Sequence, residues 1–247
     1  SLMAAVFNGD PAGPGPGNPQ SRDASGTAFR VNDGAFAIAE AAYALNQEKD
    51  ATGLPGTYKL GGWYHSGRFA DQRVDDKGVS LASPTSTGVP AQHRGDYGLY
   101  ALFDQMVWRV PETKDNGLGL FLRVAGSPSD RNLVDFYVDG GLNYKGLVPE
   151  RNDDVLGLAL AYARIGGAAS GLDRDVNFFN GTNRPVRDHE MALELTYRAQ
   201  MTPWWTLQPD LQVIFHPGGH VPDPTDPTGT RAIRDALVLG VRTSIAF

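Results

Sequence analysis

The chain has 247 residues, 30 glycines, 17 prolines, no cysteine and a formal net charge of −6. An acidic balance with no basic stripe excludes a nucleic-acid-binding surface, and the lack of cysteine excludes a disulfide framework and thiol chemistry. No run of ~18 apolar residues occurs, so no transmembrane helix is expected; a half-apolar strand escapes that test, and so does a mean hydropathy of −0.31.

The first residues, Ser1 to Phe7, lack a basic n-region and a long apolar run and are not read as a signal peptide. Leu2 to Asn8 reads as a strand. A polar Gly/Pro-rich stretch, Gly9 to Asp33, follows; its Gly13-Pro14-Gly15-Pro16-Gly17 run supports neither helix nor ladder and lacks the Lys-Ser/Thr of a phosphate loop. Ala35 to Leu45 is extended or helical, its alanines leaving both open, with Glu40 its one charge. After a turn at Asn46 to Pro55, Thr57 to His65 alternates. A second long polar segment is expected from Gly67 to Gly95, then an aromatic-rich strand, Tyr97 to Trp108, whose register is ambiguous.

Leu118 to Ala125, Val134 to Lys145, Val155 to Arg164, Glu190 to Gln200 and Trp205 to Phe215 each place Leu, Val, Phe or Tyr on one side and small or charged residues on the other, the period of a strand. A polar segment, Gly166 to Asp188, and a loop, Pro217 to Ile233, interrupt them. The last stretch, Ala236 to Phe247, sets Leu237, Leu239, Val241, Thr243, Ile245 and Phe247 against Ala236, Val238, Gly240, Arg242, Ser244 and Ala246. Taken alone it suits a sandwich strand or a membrane strand with a boundary aromatic equally.

The connections decide between them. About ten strands averaging about ten residues exceed the ~5–6 usual in globular sheets. Long connections fall mostly at alternate positions, hence at one rim, with Gly126 to Asn132 the short exception. Outer-membrane barrels sort long outer loops from short periplasmic turns in this way. The charge-free apolar sides, with Tyr144, Tyr162, Tyr197, Trp204, Trp205 and Phe247 near strand ends, match aromatic girdles. The expected fold is an all-β, antiparallel transmembrane β-barrel.

Phe7-Asn8-Gly9-Asp10-Pro11, Gly26-Thr27-Ala28-Phe29-Arg30, Lys59-Leu60-Gly61-Gly62-Trp63-Tyr64-His65, Tyr97-Gly98-Leu99-Tyr100, Asp104-Gln105-Met106-Val107-Trp108-Arg109 and Leu239-Gly240-Val241-Arg242 recur in order. With them the chain resembles the carbohydrate-selective porins (OprB-type) of Gram-negative outer membranes over essentially its whole length. The resemblance implies a sixteen-stranded barrel that passes small sugars by diffusion, with no cofactor and no catalysis. Such porins have a longer N-terminal part, so residues 1–247 are expected to form one domain, the C-terminal portion of such a barrel. Missing N-terminal strands or a second chain would complete it, because ~8 strands fill with their own side chains and an aqueous channel needs ~16. Outer-membrane lipid and lipopolysaccharide are the expected surroundings; the homo-oligomeric state is open.

A sugar pore needs side chains that exchange hydrogen bonds with hydroxyls and flat aromatic faces for pyranose C–H surfaces. The polar faces offer Lys59, His65, Asp104, Arg123, Asp135, Asp139, Glu190, Glu194, Arg198, Asp210 and Arg242, with Trp63 and Trp108 as stacking faces. Arg and carboxylate on opposite walls would set a transverse field; the bland alternative is charges that solvate a lumen and pair across strands. His216 and His220 with Asp223 and Asp226 are metal-ligand types in a Pro-broken spacing that matches no known site, and a solvated loop is the expectation. Asp71, Asp75 and Asp76 lack the EF-hand pattern. Arg184, Arg187, Arg231 and Arg234 in outer loops face lipopolysaccharide phosphates or are ordinary solvated charge. Two other functions stand as alternatives: a barrel hydrolase built on His65-Ser66, His189-Glu190 or His93 with Asp96, and a soluble sugar-binding sandwich.

Overall fold

The computed structural model describes residues 1–13, 15–22, 24–26, 33–48 and 51–246. The expectations placed on Pro14, on Thr27 to Arg30 and on Phe247 lie outside the described residues. Ten strands follow one another: β1 (Leu2–Asn8), β2 (Ala35–Leu45), β3 (Gly56–Asp75), β4 (Pro90–Arg109), β5 (Gly117–Gly126), β6 (Val134–Lys145), β7 (Val155–Ile165), β8 (His189–Thr202), β9 (Trp205–Phe215) and β10 (Ala236–Ile245). They form one antiparallel sheet in chain order, with β1 and β10 at its edges. Among the described residues three helices, α1 (Pro19–Arg22), α2 (Gly167–Asn180) and α3 (Pro217–His220), all lie in long connections.

Register explains the two faces. Leu2, Ala41, Leu60, Ala101, Val124, Val138, Tyr162, Met191 and Phe215 are successive cross-strand partners from β1 to β9 and lie in one apolar row. Partners such as Arg123 and Asp139, or Glu194 and Gln212, lie on the other side. Side chains alternate, so this assignment holds along each strand up to its bulges.

Among the described residues, nothing covers the apolar face. Among the described residues only Ile165 and Ala169 are buried hydrophobics, while Leu60 is 65% exposed, Leu99 69% and Leu239 76%. There is no second sheet among the described residues, and the helices pack mainly at β3, β7 and β8. The sandwich alternative fails here, because a sandwich buries one face of each sheet against the other.

Two aromatic belts border the leucines. Tyr43, Tyr58 and Phe103 adjoin one another near the short turns, with Trp108 5.8 Å from Tyr144. Tyr64 pairs with Tyr97 toward the long loops, where Phe136 and Tyr162 also lie. From Phe136 to Tyr144 the strand rises about 27 Å at ~3.4 Å per residue. A tilt of ~40° lowers that to about 20 Å, close to the ~25 Å apolar band of such barrels.

The long connections, 9–34, 76–89, 166–188 and 216–235, share one rim with 127–133, the short exception. The short ones, 46–55, 110–116, 146–154 and 203–204, share the other. Two expectations change. The polar segment from Gly67 to Gly95 is mostly strand: β3 and β4 each run 20 residues, beyond what a membrane requires. Their polar ends stay paired because backbone bonds hold a hairpin together whatever its side chains. Buried Asp75 closes its tip, accepting from the N–H of Lys77 at 3.0 Å, Val79 at 2.8 Å and Thr87 at 2.8 Å. Burial acts upward on this carboxyl, but those donors hold it well below the ordinary value. Asp75→Ala is expected to open 76–89 to external protease while the barrel stays folded; unchanged cleavage would refute this anchoring role.

The segment Gly166 to Asp188 holds α2. It begins on Gly166 with no side-chain cap, buries Ala169, Ser170 and Gly171, and ends at Gly181 in the left-handed region (φ 61°). A side chain at Gly171 would meet Arg73, 2.8 Å away, so the helix lies close against β3.

Candidate functional site on the polar face

The polar face sorts its charges into two groups. In the first, neighbours satisfy one another. Lys59 reaches Glu40 at 3.1 Å, and the Tyr100 hydroxyl donates to the other Glu40 oxygen at 3.0 Å. Arg123 donates to Asp139 at 2.9 Å, directly across from it on the next strand; Arg164, the partner of Phe136 on the belt side, donates to Asp135 at 2.8 Å at the long-loop rim, beside a bulge in β6. Gln212 donates to Glu194 at 2.8 Å. Glu190 accepts from the Gly218 N–H at 2.5 Å at the long-loop rim.

In the second group are Asp104, Arg198, Asp210 and Arg242. Among the described residues no ion pair or hydrogen bond engages these side chains, and Asp104, Arg198 and Arg242 are exposed. Asp104 sits between Thr57 and Phe121, on the polar side. With Asn143, Lys145 and Arg198 it lines a concavity of about 540 Å³ near the short-turn rim. This places an anion and a cation on one wall, both free to exchange hydrogen bonds with a polar solute. Lys145 is held by Asp115 at 2.7 Å and Asp153 at 3.5 Å.

The stacking faces resolve differently. Trp63 lies on the polar side over Gly98, where an added Cβ would come 2.5 Å from its Nε1, and Phe36 is 5.9 Å away. Tyr100 likewise lies over Gly61. Trp108 departs from the expectation. A bulge after Met106 shifts it by one residue, so it pairs with Leu118 and meets Tyr144 on the apolar face. It belongs to the belt and not to the lumen. His65 is also committed elsewhere: its Nδ1 accepts from Gly67 N–H at 2.9 Å, which leaves Nε2 to donate to the Gly9 carbonyl at 2.9 Å. It struts the first loop. Reading the sequence missed Glu40, Tyr100, Asn143 and Lys145 as wall partners. For Glu40 the cause is the undecided helix-or-strand reading of β2, which leaves a residue without a face.

The long loops hold further charge. Arg187 pairs with Asp173 at 2.7 Å and Arg231 with Asp223 at 3.1 Å, so two of the four loop arginines are already engaged. Asp226 accepts from the N–H groups of Arg231, Thr228 and Thr230, Arg231 contributing most, which lowers it to about 2. His93 Nε2 lies 2.7 Å from Asp71. His65 is held by backbone and Ser66 Oγ accepts from Ala35 N–H at 2.8 Å, so the pair lacks the nucleophile-to-base contact of a hydrolase.

A family model described as "Carbohydrate-selective porin, OprB family" matches residues 1–247. Porin B of Pseudomonas aeruginosa is 31% identical over 202 residues, covering 78% of this chain and 42% of that protein. The high-pH structure of Pseudomonas putida OprB superposes with a TM-score of 0.81 at 25% identity, over 100% of this chain and 55% of that one. The low-pH structure gives 0.52 at 22% identity, over 87% and 47%, a likeness of fold alone. The chain thus spans about half the length of the relatives it matches.

Proposed function

The chain belongs to the OprB family of carbohydrate-selective porins, a family of transport channels and not of enzymes, and from that premise we propose that it forms part of the wall of a water-filled outer-membrane pore through which small sugars diffuse passively. The observation that carries this reading is the contrast between the two faces. Leucines stand exposed between aromatic belts on one side, and on the other the free side chains of Asp104, Arg198, Asp210 and Arg242 stand among charges already paired. Lipid explains the first face and water the second. The paired charges hold the wall; the free ones trade hydrogen bonds with hydroxyls, and Trp63 offers a flat apolar surface. Lipid tolerates no unpaired strand edge, so β1 and β10 require further strands to close the pore, from elsewhere in the protein or from a second chain.

The test is conductance of the whole protein in planar bilayers. Glucose-type sugars are expected to block it in a graded, saturable way. Each good hydrogen bond contributes ~0.5–1.5 kcal/mol. Asp104→Asn with Arg198→Gln should therefore raise the half-blocking sugar concentration roughly 2- to 10-fold with the pore still open. No conductance, or conductance indifferent to sugar, would refute the reading.

A further inference from the structure

We propose that Asp188, His216 and His220 form a divalent-cation site, suited to zinc, that ties the two outer loops 166–188 and 216–235 together. The ligand atoms of these three residues all lie within 4.8 Å of one another. His216 Nδ1 is 3.0 Å from one oxygen of Asp188, and His220 Nδ1 is 3.8 Å from the other. The two imidazoles stack with centroids 4.2 Å apart and planes 12° apart. A third imidazole is at hand: His189 Nδ1 is 3.5 Å from the same carboxylate, its ring 4.7 Å from that of His216. Three of the five histidines in the chain thus converge on one carboxylate.

The backbone is built to hold them there. His216 (φ 50°) and His220 (φ 71°) both adopt the left-handed region, uncommon for residues with a Cβ. The Asp188 N–H donates to the Gly219 carbonyl at 3.0 Å, and the Asp188 carbonyl accepts from Ile165 at 2.7 Å. A Cβ on Gly219 would come 2.7 Å from Ile165, so glycine lets the histidine turn sit against the end of β7. Of the acidic residues of the same loop, Asp223 is spent on Thr225 and Arg231 and Asp226 on Thr228, Thr230 and Arg231, while Asp235 accepts from the His216 N–H at 3.0 Å and so helps hold the histidine turn.

Two imidazoles and a carboxylate make a borderline donor set that favours Zn²⁺ over Ca²⁺ or Mg²⁺. Zinc–nitrogen bonds of ~2.0–2.1 Å put tetrahedral ligands about 3.3 Å apart. Small rotations of these half-exposed rings contract the cluster to that size, and His189 or water takes the fourth position. The bound ion would cross-link two chain segments at the long-loop rim.

The whole protein in detergent, stripped with EDTA, is to be titrated calorimetrically with ZnCl₂ and separately with CaCl₂. One Zn²⁺ per chain is expected, with Ca²⁺ at least 100-fold weaker. His216→Ala and His220→Ala should each weaken Zn²⁺ binding at least tenfold, whereas His93→Ala leaves it unchanged. Zn²⁺ should also slow protease cleavage within 216–235, and the double His216→Ala/His220→Ala variant should lose that protection. No stoichiometric Zn²⁺ binding, or binding unaltered in the double variant, would overturn the proposal.

Discussion

Leu158→Arg is expected to cost about 2–4 kcal/mol of folding free energy in lipid, while Ala159→Arg, one residue along, costs about 0–1 kcal/mol. Leu158 pairs with Leu142 and Leu195 on the apolar face, midway between the aromatic belts. An arginine at that depth must shed water without a partner, and barrel measurements place the penalty at ~2–4 kcal/mol near the midplane. Ala159 pairs with Gly141 and Glu194 on the polar side, where a guanidinium keeps its water and finds a carboxylate. Unfolding of the two variants by urea in lipid vesicles compares them directly. Equal costs would mean that both faces meet the same solvent, and the membrane reading would fail.

Arg73→Ala is expected to loosen α2 at the long-loop rim, and acid is expected to do the same to the native protein. Arg73 on β3 donates to both oxygens of Asp175 on α2, at 2.8 and 3.0 Å, and the Ser80 hydroxyl adds a bond at 2.7 Å. The helix follows β7, so this clamp joins parts of the rim that are four strands apart in the sheet. Arg73 is partly exposed (44%), so water screens the pair and it contributes about 1 kcal/mol. Losing that amount raises the undocked population about fivefold. The pH effect has a definite sign. Arg73 first, and Ser80 with it, hold the Asp175 carboxyl below its ordinary value. The contribution of a depressed carboxyl is complete above the unfolded value of ~3.9 and fades as pH falls through the folded value. Single-channel records should show more mouth fluctuation in Arg73→Ala at neutral pH. In the native protein it should rise only below about pH 4. Records of the variant that match the native protein throughout would exclude a clamp.

Much of this was legible beforehand. Five strands, from Leu118 to Phe215, carry a regular period of two, and the faces read from it are those of the observed pairing except at the bulge between Val134 and Phe136. Rim sorting was legible too: four of the five connections at that rim read as long, although the one expected from Gly67 to Gly95 shortens to 76–89. What escaped has local causes. The outer halves of β3 and β4 are polar on both faces, so no hydrophobic pattern marks them as strand. Helix α2 opens on glycine and small residues with no cap, which reads as loop until β3 is there to receive it. At Trp108 a single bulged residue reversed the face, and periodicity cannot foresee a bulge.

The sequence by itself determined most of the succession of strands and, from Leu118 onward, which side of each is apolar, because alternation follows from the extended backbone and needs no partner. Only the tertiary structure decided which polar residues are spent on one another and which stay free. It also decided that Asp188 joins His216 and His220, and that α2 is held to β3. Those contacts join residues far apart in the chain, and their distances depend on register, bulges and loop paths that no local pattern encodes.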